Sequence, residues 1–210
     1  MDEFIFHFKA HLDTWSDFFE NNNHLRSELK RAVTEVRKLR DFLPKSRNIF
    51  RAFREVDINE VQYVLLGMDP YNNIYKGEPS ACGLSFVTEN GYVNPSLKVL
   101  CENLNIKPGE FKDFMLNKKV LLLNAYLTVE EHKAGSHRYI WKRFTEVLVT
   151  ALSRYKPNIT WVLLGNDAKY YAEFIVEGKI KTEVHPSYLS RNGITNYPGY
   201  LRLFKELNWI

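Results

Sequence analysis

The sequence predicts an α/β fold in which helices cover both faces of a central, four-stranded parallel sheet. Three observations predict it: four short apolar runs rich in β-branched residues, helix-compatible segments between them, and a polar residue just past each run. The four runs are residues 61–67, 120–124, 159–165 and 180–184. Strands that alternate with helices form βαβ units with right-handed crossovers, so we expect all four carboxyl ends along one edge of the sheet.

The first part of the chain, about residues 1–43, is predicted to be helical and densely charged. The three asparagines at 21–23 are expected to divide it into two helices. The basic stretch at 30–40 is interpreted as the solvated face of a core-packed helix rather than as a DNA-binding helix. Later helices are expected at 95–104, 139–153 and 167–176. We predict that residues 1–210 form one domain, with the helical part at its N-terminus.

The composition is that of a soluble globular protein, with 45% hydrophobic and 26% charged residues. A net charge of +4 is compatible with a nucleic-acid partner but does not demonstrate one. Cys82 and Cys101 lack the spacing of a disulfide scaffold or a zinc site, which favours a reducing compartment. No run approaches the roughly 20 apolar residues of a membrane span, and the N-terminus resembles no targeting peptide. We therefore predict an intracellular protein of the cytoplasm, or of a host nucleus or cytoplasm if viral.

Polar residues follow the four predicted strands at the edge where open α/β sheets bind ligands. They are Asp69, Asn124, Asn166 and His185. One polar residue after a strand is common, whereas four convergent ones of different chemical type are more specific. With the rings of Tyr71 and Phe86, they predict a pocket for a flat polar ligand.

The pocket residues have chemistry that suits a pyrimidine base. The Asn124 carboxamide offers an acceptor beside donors, which matches N3–H and O4 of uracil and not cytosine. Phe86 can stack on a heterocycle, and Tyr71 can block the C5 edge, where thymine carries a methyl group. Each residue also has a structural alternative: Asn124 as a strand end that caps a turn, Phe86 as a core residue, and Tyr71 as packing under the Pro70 turn.

Asp69 and His185 are the candidate catalytic residues. Cleavage of a glycosidic bond leaves positive character on the sugar and negative charge on the base. A carboxylate stabilises the first and orients water, while a histidine N–H aimed at the base O2 stabilises the second. These groups need no metal and no organic cofactor. The alternatives are that Asp-Pro is only a turn and that a histidine before proline is structural.

Six motifs, taken in order, resemble those of family 1 uracil-DNA glycosylases: GMDPY, GLSF, NPSL, LLLNAYLTV, the GSH and FT of residues 135–145, and HPSYLS. The likeness runs from about Leu43 to the C-terminus. It implies a mostly parallel four-stranded sheet flanked by helices, and hydrolysis of the uracil N-glycosidic bond by base flipping, as a first step of DNA repair. The implied partner is single- and double-stranded DNA that contains uracil. A DNA-mimicking inhibitor protein and replication factors stay open as protein partners.

The resemblance also implies a role for each matching residue. Asp69 resembles the water-activating carboxylate and His185 the electrophile toward uracil O2. Asn124 resembles the amide that recognises the base, Phe86 the stacking ring, and Tyr71 the barrier to thymine.

Five further residues match positions that contact DNA. Leu189 matches the leucine that enters the base stack, and Ser96 and Ser187 match hydroxyls that hold flanking phosphates. Asn166 stands where a phosphate-contacting serine is common. Arg191 is the candidate substitute for an arginine that is out of register here.

Three departures from the family pattern lie inside the motifs. Met68 stands where the family usually has Gln, Asn72 where it has His, and Tyr188 where it has Pro. Met68 is still assigned to the uracil site, because the backbone N–H groups of its turn can face a developing oxyanion. We expect the departures to change rate and DNA affinity more than base identity. The alternative function is a DNA-binding module on this fold, with weak catalysis, that recruits replication or repair partners.

Overall fold

The computed structural model describes residues 14–210, and its centre is a parallel sheet. The strands are β1 (Tyr63–Gly67), β2 (Ile74–Tyr75), β3 (Glu78–Pro79), β4 (Val120–Asn124), β5 (Thr160–Leu164) and β6 (Lys179–Glu183). Four of them form the sheet in the order β4-β1-β5-β6, and each neighbouring pair is parallel. All four carboxyl ends therefore lie along one edge. The α/β fold predicted from the sequence is confirmed.

Helices flank the sheet in two groups. In the described part of the chain they are α1 (Ser16–Glu20), α2 (Asn23–Val36), α3 (Ala52–Glu55), α4 (Pro95–Leu104), α5 (Phe111–Asn117), α6 (Arg138–Tyr155), α7 (Asn166–Lys169), α8 (Pro186–Arg191) and α9 (Pro198–Glu206). Helix α2 packs on α6, and α4 packs on α8 and α9. Strands β1 and β4 are buried almost along their whole length, which explains why both are almost continuously apolar.

The N-terminal helices follow the predicted pattern where the structure describes them. Helix α1 ends at Glu20 and α2 begins at Asn23, after Asn22 accepts a hydrogen bond from the Leu25 N–H at 2.9 Å. This cap confirms the predicted break at the asparagines. The buried face of α2 comprises Leu25, Leu29, Ala32, Val33 and Val36. Residues 1–13, including the predicted helical residues Phe4, Phe6, Phe8 and Leu12, lie outside the described part.

Two elements differ from the prediction. The helix expected over 167–176 is the short α7 followed by a 3₁₀ turn, Tyr170–Phe174. The Tyr170 and Phe174 rings lie 5.4 Å apart in this turn. The two-stranded hairpin of β2 and β3 was not predicted, because strands of two residues carry no readable periodicity.

The core is one cluster of buried apolar side chains that includes residues from Trp15 to Trp209. Cys82 and Cys101 are buried free thiols. No helix within residues 14–210 has the length and apolar character to cross a membrane. The single domain over residues 1–210 stays a prediction, because the first 13 residues are not described.

Candidate active site

A cleft of about 630 Å³ opens at the carboxyl edge of the sheet. Ten of the eleven predicted site residues line it: Met68, Asp69, Tyr71, Phe86, Ser96, Asn124, Asn166, His185, Ser187 and Arg191. A larger hollow of about 830 Å³ lies between α1 and α6, but it contains none of the predicted residues. The convergence of strand ends, and not cavity size, therefore locates the candidate site.

Asp69 lies two residues past the end of β1, and one of its oxygens is fixed by the backbone. Oδ2 accepts a hydrogen bond from the Gly135 N–H at 2.6 Å. Burial raises the pKa of this carboxyl to about 6; the Gly135 N–H opposes that rise and the nearby Asp167 charge adds to it. Asp69 is thus a partly buried carboxylate that ionises just below neutral pH and keeps Oδ1 free of the Gly135 contact.

His185 precedes α8, and its ring has a defined tautomer. Nδ1 accepts the Ser187 backbone N–H at 3.1 Å and lies 2.7 Å from the Ser187 hydroxyl. An accepting Nδ1 leaves the proton on Nε2. Burial lowers the pKa of His185 to about 4, and the Arg191 charge lowers it further. The imidazole is therefore neutral at pH 7 and presents Nε2–H as a donor.

Gly165 allows His185 to lie this close to β5. It adopts a positive φ of 85°, and a Cβ at this position would come within 2.6 Å of the His185 Cβ. A residue with a side chain would both strain the backbone and displace the imidazole.

Asn124 ends β4 directly beside Gly67 of β1. Its side chain is buried, and a Cβ on Gly67 would come within 2.5 Å of Asn124 Oδ1. Glycine therefore provides the space that the carboxamide occupies. No hydrogen bond joins this carboxamide to another described residue, so it can pair with a ligand.

Phe86 lies beside the imidazole and close to Gly67, where a Cβ would come within 3.4 Å of its ring. Its ring centroid is 5.7 Å from that of His185. The residue has a positive φ of 61°, which costs a bulky L-residue about 1 kcal/mol. Ser85 holds the strained turn: its N–H donates to the Leu122 carbonyl at 3.2 Å, and its hydroxyl donates to the Leu65 carbonyl at 3.2 Å. Strands β1 and β4 thus hold the turn that carries the ring.

Tyr71 is both a wall of the cleft and a packing residue. It lines the cleft and contacts a small cluster formed by Leu43, Ala81 and Val129. Its hydroxyl is buried without a hydrogen-bond partner among the described residues, and burial raises its pKa. The two roles weighed for Tyr71 in the sequence are therefore compatible.

Tyr188 and Leu189 occupy opposite faces of α8. Leu189 is 1% exposed and belongs to the core, whereas Tyr188 is 54% exposed and lines the cleft. Helical spacing explains the difference, because Pro186 and Leu189 share the inner face while Tyr188 and Arg191 share the outer one. Leu189 is therefore covered in this structure, and its insertion into DNA stays a prediction.

Two features of the site were not recognised in the sequence. Asp167 lines the cleft beside Asn166 and forms an ion pair with Arg138 at 3.5 Å. Gly135, quoted only as part of a motif, supplies the N–H that holds Asp69. Asp167 could have been found, since it stands three residues past β5. The Gly135 contact could not, because it spans 66 positions of the chain.

The remaining motif residues support the loops rather than line the cleft. The Thr145 hydroxyl donates to the Ala125 carbonyl at 2.5 Å, directly after Asn124. Thr128 accepts a hydrogen bond from Trp141 Nε1 at 2.7 Å and lies 3.0 Å from His137 Nδ1. These buried contacts join helix α6 to the loop after β4. Within residues 14–210, no group of three or more His, Cys, Asp or Glu side chains is arranged to hold a metal ion.

Comparison with known proteins gives consistent matches for both the sequence and the fold. The sequence matches the family model of the Uracil DNA glycosylase superfamily over residues 53–207. It is 33% identical to a uracil-DNA glycosylase of Francisella philomiragia over 84% of this chain and 85% of that protein. It is 40% identical to one of Dichelobacter nodosus over 70% of this chain and 67% of that protein.

Solved structures agree at the level of the fold. Mimivirus uracil-DNA glycosylase superposes with a TM-score of 0.72 at 24% identity, over 83% of this chain and 68% of that one. The UNG of Nitratifractor salsuginis superposes with a TM-score of 0.68 at 18% identity, over 95% and 94%. A variant of the mimivirus protein was solved in complex with UGI. The resemblance seen in the motifs is confirmed, and the chain belongs to the Uracil DNA glycosylase superfamily.

Proposed function

We propose that this chain hydrolyses the N-glycosidic bond of uracil in DNA, the first step of base excision repair. The observation that carries the proposal is the convergence of three complementary groups from neighbouring strand ends. They are an ionisable carboxyl, a neutral imidazole with a free N–H, and an unpaired carboxamide. Membership of the superfamily supports the same activity.

Asp69 is proposed to act on the sugar side of the bond. Its pKa of about 6 leaves most of the carboxyl ionised at neutral pH. The Gly135 N–H holds Oδ2, so Oδ1 can orient the attacking water. The negative charge also stabilises the positive character that develops on the sugar as the base departs.

His185 is proposed to act on the base side. A neutral imidazole that donates Nε2–H stabilises negative charge on uracil O2 without transferring a proton. Its Nδ1 is occupied by the Ser187 backbone, so the donor is preorganised and needs no reorientation during the reaction.

Three side chains are proposed to select the base. The Asn124 carboxamide pairs with N3–H and O4 of uracil, and a rigid carboxamide leaves cytosine unpaired. Phe86 stacks on the ring, and Tyr71 excludes the thymine methyl group. The backbone of the Met68 turn faces the same pocket.

The strand is proposed to be held by side chains at the rim of the cleft. Ser96, Asn166 and Arg191 line the cleft and can donate hydrogen bonds to phosphate oxygens, and the Ser187 hydroxyl can do so once it turns away from His185 Nδ1. We propose that Tyr188, rather than Leu189, inserts into the gap that the extruded base leaves in the duplex. Tyr188 is the exposed residue of the pair, and a ring can stack between neighbouring bases.

The assignment of Tyr188 is tested by comparing substrates. Extrusion from a duplex costs a few kcal/mol, which an inserted side chain offsets. Tyr188→Ala should therefore lower kcat/KM on duplex DNA about tenfold more than on single strands, and Tyr188→Phe should retain duplex activity. Leu189→Ala should instead lower the melting temperature, because it leaves a core cavity. If Leu189→Ala folds stably but loses activity on duplex DNA more than on single strands, then Leu189 and not Tyr188 is the inserted residue.

The activity is tested by release of free uracil from a labelled oligonucleotide, with Asp69→Asn beside the wild type. We expect metal-independent release by the wild type, unchanged by chelator, and a loss of at least about 100-fold in the variant. DNA binding with no release by the wild type would instead favour the recruitment module. Because a mimivirus relative binds UGI, we further propose that such an inhibitor protein occupies the same cleft, and that adding UGI to the assay blocks release.

A further inference from the structure

A second exposed surface lies next to the cleft and has no part in the proposed chemistry. It is formed by Ile74, Tyr75, Lys76, Tyr92 and Val93, and we call it the hairpin patch. Ile74 is 44% exposed and Val93 is 47% exposed. The Tyr75 and Tyr92 rings are partly exposed, with centroids 5.5 Å apart and planes inclined by 42°. Two apolar side chains and a pair of rings thus face solvent together.

Hydrogen bonds hold the two halves of the patch in a fixed arrangement. The Asn90 amide donates to the Glu78 carbonyl at 3.0 Å and to the Ser80 hydroxyl at 3.2 Å. The Asn90 side-chain oxygen accepts the Tyr92 N–H at 3.1 Å. The Asn73 amide donates to Ser80 at 2.9 Å. The ring pair is therefore preformed and would lose little conformational entropy on binding.

Basic groups surround the patch. The Lys76 ammonium lies 5.3 Å from the centroid of the Tyr75 ring. Glu78, the carboxylate of the hairpin, forms an ion pair with Lys45 instead. Lys45, and to a lesser degree Arg47, lower the pKa of Glu78. Lys76 thus adds a positive charge beside the Tyr75 ring, while the Glu78 carboxylate is paired with Lys45, and this charge balance suits a polyanion.

The patch is continuous with the rim of the cleft at two points. The chain enters the hairpin at Ile74, two residues after Asn72, and it leaves the patch at Val93 directly before Asn94. Both asparagines line the cleft. A strand that occupies the cleft can therefore pass onto the rings.

We propose that the hairpin patch binds unpaired bases of the uracil-bearing strand, beyond the nucleotide held in the cleft. This inference rests on the proposed function, since that function supplies the DNA. Aromatic rings next to cations are the elements that bind single strands without sequence preference, because every base has a face that can stack. In a duplex the bases are stacked and paired, so the patch favours single-stranded substrate.

The test uses fluorescence anisotropy with uracil-free DNA, so that binding is measured without turnover. The probes are a single strand of about 16 nucleotides, one of about four nucleotides, and a duplex. The variant Tyr75→Ala with Tyr92→Ala should raise Kd for the long single strand at least about fivefold, with little change for the other two probes. Lys76→Ala should reduce the slope of the logarithm of the binding constant for the long single strand, plotted against the logarithm of the salt concentration, by about one.

Control variants separate stacking from folding. Tyr75→Phe with Tyr92→Phe should bind like the wild type, because the ring faces remain. Tyr155→Ala changes a tyrosine that is 51% exposed at the C-terminal end of α6, and this variant should also bind normally. Melting temperatures establish that each variant is folded. Unchanged long-strand affinity in a folded alanine variant, or an equal loss on all three probes, would overturn the inference. If the wild type binds as expected but releases no uracil, only the proposed function fails.

Discussion

Replacing Asp69 with Asn should abolish turnover and at the same time stabilise the protein at neutral pH. Folding raises the pKa of this carboxyl from its ordinary value of 3.8 to about 6, mainly through burial. At about 1.4 kcal/mol per pKa unit, ionising the native carboxyl costs about 3 kcal/mol of folding free energy. An amide carries no charge at any of these pH values, and its oxygen can still accept the Gly135 N–H.

The sign of the effect follows from the direction of the pKa change. A group whose pKa is raised on folding stabilises the native state below its unfolded pKa, and that contribution is lost as pH rises through the folded pKa. For Asp69 the loss runs from about pH 4 to about pH 6. The stability gained by Asp69→Asn should therefore be about 2 kcal/mol larger at pH 7.5 than at pH 4.

Urea unfolding of both proteins at the two pH values measures this difference. Asp41→Asn is the matched control, since it changes an exposed aspartate that does not line the cleft. Its effect should be small and nearly independent of pH. If the stability gain of Asp69→Asn were the same at pH 4 and pH 7.5, the carboxyl would not be destabilised by burial, and its proposed role as a raised-pKa carboxylate would fail.

Three further predictions concern rate and specificity. kcat/KM should fall about tenfold per pH unit below about pH 6, as Asp69 becomes protonated. Asp167→Asn should move this acid limb of the pH profile to lower pH, because the Asp167 charge helps to raise the pKa of Asp69. A pH profile of kcat/KM for each protein checks this. Asn124→Asp should lower the rate of uracil release at least about tenfold and allow release of cytosine, because a carboxylate accepts a hydrogen bond from the exocyclic amine of cytosine. Tyr71→Ala should improve release of thymine up to about 100-fold. Unchanged uracil rates in both variants would exclude these side chains from the pocket. The double variant Met68→Gln with Asn72→His should lower KM for duplex DNA more than it raises kcat. A rise in kcat above tenfold, equivalent to about 1.4 kcal/mol of activation free energy, would mean that Met68 and Asn72 impair the chemical step itself.

The sheet and most of the cleft could be predicted because they depend on local signals. Buried parallel strands produce short apolar runs, and polar residues after those runs converge on one edge of the sheet. Asp69, Asn124 and His185 were found in this way. The hairpin of β2 and β3 was not predicted in this way. Its two strands have only two residues each, and its turn consists of Lys76 and Gly77, both at positive φ.

The placement of Leu189 shows why motif position alone does not determine exposure. The motif aligns a leucine with one that enters DNA, but α8 turns Leu189 toward the core. Which face of a six-residue helix is buried depends on the elements packed beneath it, here α4. A sequence without that packing information cannot distinguish Tyr188 from Leu189 as the exposed residue.

Several groups of the site occupy energetically unfavourable environments, and the surrounding fold holds them there. Asp69 is partly buried against its tendency to ionise, Phe86 adopts a left-handed backbone, and the Tyr71 hydroxyl is buried without a partner. Each would be more stable elsewhere or with another residue type, so packing alone does not account for these choices. The unpaired, buried Asn124 carboxamide is a further cost, which a ligand that stacks on Phe86 and pairs with the carboxamide would offset. Binding of uracil should therefore stabilise the protein against urea, and Asn124→Ala should remove most of that gain.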